Sequence, residues 1–254
     1  MKNLKTILLL FVLLGMTAMF SCKKETPTSD PIVQPTPTPN NDLFGESIIR
    51  SSVGGVIVDE NGNGVASATV QLGVHSLITD INGVFLFNDV LMNEKRTFVK
   101  VSKNGFFHGF RALYPKANST SQIKVMLLAS TSAGNFTASA GGIISSNGVS
   151  LDFPANSVKV EGGGAYKGTV NVAVKFLDPT SADMVNQMPG DLMASNSSIQ
   201  LRVLETFGMA AVELTSPAGQ KLNVADGKTV ELTVPLSGAY LTDAPSTIPL
   251  WYFD

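Results

Sequence analysis

From about residue 48 onward, apolar side chains recur at every second position, in short runs broken by Gly, Asn and Asp. Between Ala68 and Val74, residues Val70, Leu72 and Val74 point one way and Thr69, Gln71 and Gly73 the other. In "GTVNVAVKFLDP", Val170, Val172, Val174 and Phe176 share one face, with Thr169, Asn171, Ala173 and Lys175 opposite. Val149, Leu151 and Phe153 repeat the pattern, as do Ile199, Leu201 and Val203, Val212 and Leu214, and Val230, Leu232 and Val234. A period of two is that of a strand buried on one face. No stretch beyond the leader sustains the 3.6-residue period of a helix. The pattern predicts an all-β chain of two tandem sandwiches, because one-sided burial on many strands needs a facing sheet.

Turns fall between the runs. "DENGNG" (Asp59 to Gly64) and the Gly83 of "TDINGVFLF" offer glycines for positive φ, with Phe85 and Phe87 entering the core after the second turn. Asn147-Gly148 suits a type I′ hairpin. "FVKVSKNGFF" and "QIKVMLL" read as further strands.

The first residues follow another pattern. Met1-Lys2-Asn3-Leu4-Lys5 is basic, and Ile7 to Leu14 is an apolar run short of the about 20 residues that span a bilayer. Met19-Phe20-Ser21 then precede Cys22, the one cysteine of the chain. A lone thiol in a secreted protein has no disulfide partner. Leader, position and uniqueness together resemble the lipobox of bacterial lipoproteins, with Phe20 a departure from its small-residue pattern. The resemblance implies a signal peptide over 1–21 and a lipid-modified Cys22 that anchors the protein to the membrane. No Asp follows Cys22, which under the same resemblance implies the outer membrane. Residues 22–47, rich in Pro and Thr, cannot build a core and read as an extended tether.

Two domains of about 100 residues fit in the remainder. Gly55-Val56-Ile57-Val58-Asp59, Gly62, Ala68-Thr69-Val70, Thr79-Asp80, Gly83-Val84-Phe85, Val101-Ser102 and Gly105-Phe106 resemble the carboxypeptidase regulatory-like domain. That resemblance implies a transthyretin-like, seven-stranded sandwich over 48–130, in a group often classed with carbohydrate-binding-like folds. Gly64 stands where Pro is common in that family and Ser67 where Gly is usual. Over 134–254, Gly141-Gly142, "NGVSLDFPANSV" and "KTVELTVPL" resemble the β-sandwich domain of ankyrins, netrin receptors and tight-junction scaffolds. The middle segment of that family has no counterpart here.

Charge and chemistry narrow the functions. A net charge of −2 with no basic cluster argues against nucleic acid. "DENGNGVASATV" begins like a calcium loop but has Val70 where a bidentate Glu would stand, so a hairpin is the better account and neither metal nor cofactor is expected. In "GFFHGFR", alternation would put Phe106, His108 and Phe110 on one face and Phe107 on the other. Phe107, His108 and Phe110 are candidate ligand contacts, with core packing the competing account. The loop "DMVNQMPGDLM" offers Met184, Met188 and Met193 as an adaptable surface; a short helix broken at Pro189 and capping a sheet edge is the alternative, and the favoured one. No nucleophile–base motif occurs, and Asp80, Asp89, Asp152 and Glu161 fall at turns or strand ends. The terminal "IPLWYFD" is either the last core strand or a point from which the natural chain continues, and continuation is favoured.

The expected function is therefore non-catalytic: an outer-membrane lipoprotein, lipid-anchored at Cys22, displaying sandwiches that bind a glycan or a protein. A periplasm-facing accessory subunit of a transporter or enzyme is the first alternative. A glycan-processing enzyme, with two carboxyls converging about 5 to 10 Å apart, is the second.

Overall fold

The chain is described here by a computed structural model covering residues 47–195, 200–248 and 250–253. The leader, Cys22 and the tether lie outside the described residues, apart from Ser47. All described residues belong to one compact unit, Asn41–Asp254.

Seven strands open the fold: β1 (Ile48–Val58), β2 (Thr69–Leu72), β3 (His75–Ile78), β4 (Val84–Asn93), β5 (Thr97–Ser102), β6 (Gly109–Leu113) and β7 (Thr120–Met126). They make two sheets, ordered β4-β1-β7 and β3-β2-β5-β6. β1 runs antiparallel to β4 and parallel to β7. Inward residues of both sheets, Val53 and Ile57 from one and Val70, Val99 and Val101 from the other, meet Phe85 and Phe87 in a single core. Val74 does not join them. It is 94% exposed, because β2 stops at Leu72 and Gly73, at φ +55°, turns the chain into β3.

Two turn residues of this first half take positive φ. Ser67 sits at φ +54°, the conformation that a glycine adopts more freely. Gly83 is at φ +77°, and a Cβ there would lie 2.2 Å from the carbonyl oxygen of Ile57. That oxygen also accepts the Val65 N–H, so it cannot easily withdraw.

The next strands are β8 (Ser132–Thr137), β9 (Gly142–Ser146), β10 (Val149–Phe153), β11 (Val158–Val160) and β12 (Thr169–Leu177). After them come helix α1 (Met184–Gln187), β13 (Met193–Ser195), β14 (Leu201–Val203), β15 (Met209–Thr215), β16 (Lys221–Val224) and β17 (Glu231–Thr233). A five-stranded sheet, β11-β16-β15-β12-β8, faces a three-stranded one, β17-β10-β9. Val149, Leu151 and Phe153 meet Val170, Val172, Val174 and Leu214 between them. Asn147 and Gly148 take φ +49° and +81°, as a type I′ hairpin requires. Leu201 and Val203 depart from the sequence expectation. β14 pairs with β13 in a separate ribbon, so both residues are exposed, Val203 at 79%. Ile199 lies outside the described residues.

A third apolar cluster ties the two halves together. Phe107 and Leu128 from the first half pack on Ala173, Leu177 and Met184 of the second, flanked by Met188, Met209 and Ala211. Ala173 and Leu177 belong to the outward face of β12, so this strand is covered on both sides. Glu60, from the "DENGNG" turn, spans the same seam: it accepts the Ala129 N–H (3.0 Å) and pairs with Lys175 (2.7 Å).

Beyond α1 the chain straightens at Met188 and reaches β6, an edge strand. The Gly190 N–H donates to the Phe110 carbonyl (3.2 Å) and the Ala112 N–H to the Gly190 carbonyl (3.4 Å). The methionine loop thus occupies an open sheet edge. Asp191 fixes it there, accepting from Arg96 and, at 2.7 Å, from the Tyr114 hydroxyl. Burial first, and then the Asp191 carboxylate, push the Tyr114 phenol up to about 12, while Arg96 acts the other way. Residues 250–253 form no strand, contrary to the reading of "IPLWYFD" as a last core strand. Phe253 instead lies on Phe110 (ring centroids 4.8 Å apart) and on Phe98 (6.3 Å).

Two substitutions test this account. Gly83→Ala should cost about 1–3 kcal/mol from the positive φ alone, with the clash at Ile57 adding to it, read as a lowered urea midpoint. Asp191→Asn should bring the Tyr114 midpoint down from about 12 toward the ordinary 10, followed by ultraviolet absorbance, and cost roughly 1–3 kcal/mol of stability. Because the folded Tyr114 value lies above the unfolded one, its contribution to stability is present below pH 10. It is lost as pH rises toward 12.

Candidate functional site

Strand alternation places polar residues on the outer faces of two sheets, and the seam turns those faces toward each other. Thr69 at the start of β2 and Ser102 at the end of β5 are register partners and stand on the first face. Asn171 of β12 and Thr215 of β15 are register partners on the second, and Ala173 pairs with Glu213 beside them. Between the faces lies a cleft of about 540 Å³, within the usual range for small-ligand sites. The turn after β5 supplies Lys103, Asn104 and Phe106 to one wall, and β16 supplies Lys221 to the other. Ser130, in the connection between the sandwiches, and Ser132, the first residue of β8, also line it.

The residue types suit a polar, hydroxylated guest. Ser and Thr hydroxyls donate and accept, and the amides of Asn104 and Asn171 do both at fixed geometry. Lys103 donates to the Ser67 carbonyl (3.3 Å). His108 points into the same space. Partial burial is the largest influence holding its pKa below the usual 6.5, followed by the neighbouring charges of Lys221 and Lys100, with Glu161 opposing. This favours the neutral imidazole, in which one nitrogen donates and the other accepts. Glu213 is the one carboxylate among the described residues that line the cleft.

The residues singled out from sequence divide among the cleft, the seam and the outer face of β6. His108 lines the cleft. Phe107, Met184 and Met188 pack in the seam instead, the first two buried, and so present no adaptable surface to a ligand. The apolar outward face of β12 and β15 needs cover, and these three side chains provide it. Phe110 is half-buried on the outer face of β6, under Phe253 and with Lys100 above its ring (5.5 Å). Strict alternation through "GFFHGFR" fails at its start. Residues 103–106 form a turn, Phe106 makes a single bridge to Ala129 and packs on the first core, and β6 begins at Gly109. The Asp59 carboxylate of "DENGNG" is used locally, as the hairpin reading expects, accepting the Asn61 and Asn63 N–H groups at 2.8 and 2.9 Å.

Thr69, Ser102, Lys103, Asn171, Glu213, Thr215 and Lys221 were not singled out by sequence reasoning. Each sits on the polar face of an alternating strand or in a turn, where the same pattern describes an ordinary solvated surface. The available signal was Ala173 among polar outward neighbours on β12, a small apolar residue where solvent would favour a polar one.

No family model matches this chain, and no curated protein matches it. Among solved structures it is similar to 3-chlorocatechol 1,2-dioxygenase from Rhodococcus opacus, at 13% identity over 34% of this chain and 62% of that one, with a TM-score of 0.26. This chain therefore spans less than two thirds of the length of that enzyme. It is also similar to a candidate carbohydrate-binding protein from Bacteroides uniformis, at 10% identity over 73% of this chain and 99% of that one, with a TM-score of 0.27. A candidate membrane-associated protein of unknown function from Bacteroides fragilis matches at 10% identity over 71% and 84% of the two chains, again with a TM-score of 0.27. These likenesses are too distant to assign a function, which has to rest on the cleft.

Proposed function

We propose that this chain is a non-catalytic, lipid-anchored protein of the outer membrane, facing outward, that binds a saccharide in the cleft between its sandwiches. The observation that carries the binding is the lining: hydroxyls and amides from two sheets and a turn, around about 540 Å³, with little apolar surface to draw a hydrophobic guest. A sugar offers many hydroxyls, and each must find a partner when it leaves water. A peptide would be better served by an open strand edge or an apolar groove, and the loop through Gly190 already takes the β6 edge. Anchorage rests on the sequence of the leader and Cys22. No helix among the described residues is long and apolar enough to cross a membrane.

Two measurements test the two halves of this proposal. With a tag at the far end of the chain, protease treatment of intact cells should remove the tag, and Cys22→Ala should release the protein from the membrane fraction. A protected tag on a membrane-bound protein would point to the periplasmic accessory role instead. For binding, the anchored protein in detergent should retain glycans on an array, and Asn171→Ala should weaken retention roughly tenfold. Retention of no glycan at all would overturn the saccharide reading.

A further inference from the structure

The charges that line the cleft are mostly positive. Lys175 pairs with Glu60, Arg96 with Asp191, Lys159 with Asp226 and Arg50 with Asp89, whereas other cations such as Lys100, Lys124, Lys167 and Lys228 form no ion pair among the described residues. Lys103 and Lys221 form no ion pair among the described residues, although both line the cleft. They come from opposite walls, Lys103 from the turn after β5 and Lys221 from the first position of β16. Glu213 is the single carboxylate set against them. Two ammonium groups without a carboxylate partner, on opposite walls of one cleft, raise the positive potential between them. Lys221 is also close enough to His108 to add, after partial burial, to the lowering of the imidazole pKa.

We infer that the ligand of the cleft is an acidic saccharide, whose anionic group is held between Lys103 and Lys221 while its hydroxyls meet the Ser, Thr and Asn side chains. The inference rests on the saccharide reading above and narrows it. A uronate carboxylate and a sulfate ester supply the same negative oxygen atoms, and an ammonium accepts either as a point charge. Glu213, on the second wall, is left to accept from ring hydroxyls. A neutral sugar would leave the two ammonium groups with Glu213 as the one carboxylate in the lining and would gain less from the site.

The anchored protein in detergent is tested by affinity electrophoresis against polygalacturonate, chondroitin sulfate, and neutral pullulan and xyloglucan as probes. Retardation by one or both acidic polymers, with little by the neutral ones, is expected. Polygalacturonate alone would identify a carboxylate as the anion, and chondroitin sulfate alone would leave the sulfate ester as the better fit. Lys103→Gln and Lys221→Gln should each weaken that binding roughly tenfold, and Lys221→Arg should retain most of it. Lys167→Gln and Lys228→Gln, both exposed and outside the cleft lining, should leave it unchanged. Equal losses from these outlying lysines would mean diffuse charge attraction and would overturn the inference. Retardation by neutral polymers alone would overturn it too, while leaving the saccharide reading in place. If no polymer is retarded, both fall. Circular dichroism of each variant separates lost binding from lost folding.

Discussion

The outward face of β12 and β15 carries Ala173, Leu177, Met209 and Ala211, and this apolar stripe has to be taken out of water. In most one-sided sheets that face is polar and solvated. Here it is covered by Phe107 and Leu128 from the first sandwich and by Met184 from the loop that follows β12. Burying Leu177 and Met184 contributes roughly 1.5–3 kcal/mol each, whereas a partly exposed pair such as Lys175–Glu60 contributes at most about 1 kcal/mol. Packing therefore holds the halves together, and the charged contacts set their register.

The cleft follows from that contact. Apolar cover extends over only part of the outward faces, and beyond it the same strands present Asn171, Thr215 and Glu213 opposite Thr69, Ser102 and Lys103. The seam thus acts as a hinge point from which two polar walls diverge. Phe107 and His108 show the division within two residues: one side chain enters the seam and the next lines the open space. A ligand site between rigid sheets needs little reorganisation on binding, which lowers the entropic cost of association.

Much of each core could be read from the chain. Val149, Leu151, Phe153, Val170, Val172 and Val174 are buried where alternation puts them, and Asn147-Gly148 turns as its dipeptide predicts. The misses have local causes. Val74 belongs to a turn that a glycine one position earlier creates, and Leu201 and Val203 alternate correctly on a ribbon with no sheet behind it. Of the ligand candidates, His108 lines the cleft and Phe110 lies half-buried under Phe253, while Phe107, Met184 and Met188 are drawn into packing.

Period-two alternation and turn chemistry are properties of neighbouring residues, so the sequence by itself determined the all-β class, the inward faces of most strands and several turns. It also fixed Cys22 as the one thiol, placed behind an apolar leader. Which outward face meets which depends on residues far apart in the chain, such as Phe107 with Leu177 and Glu60 with Lys175. Alternation says only that a residue points away from its own core, and cannot say whether water or another sheet lies beyond. The tertiary structure decided that, and with it the seam, the cleft and the two unpaired lysines within it.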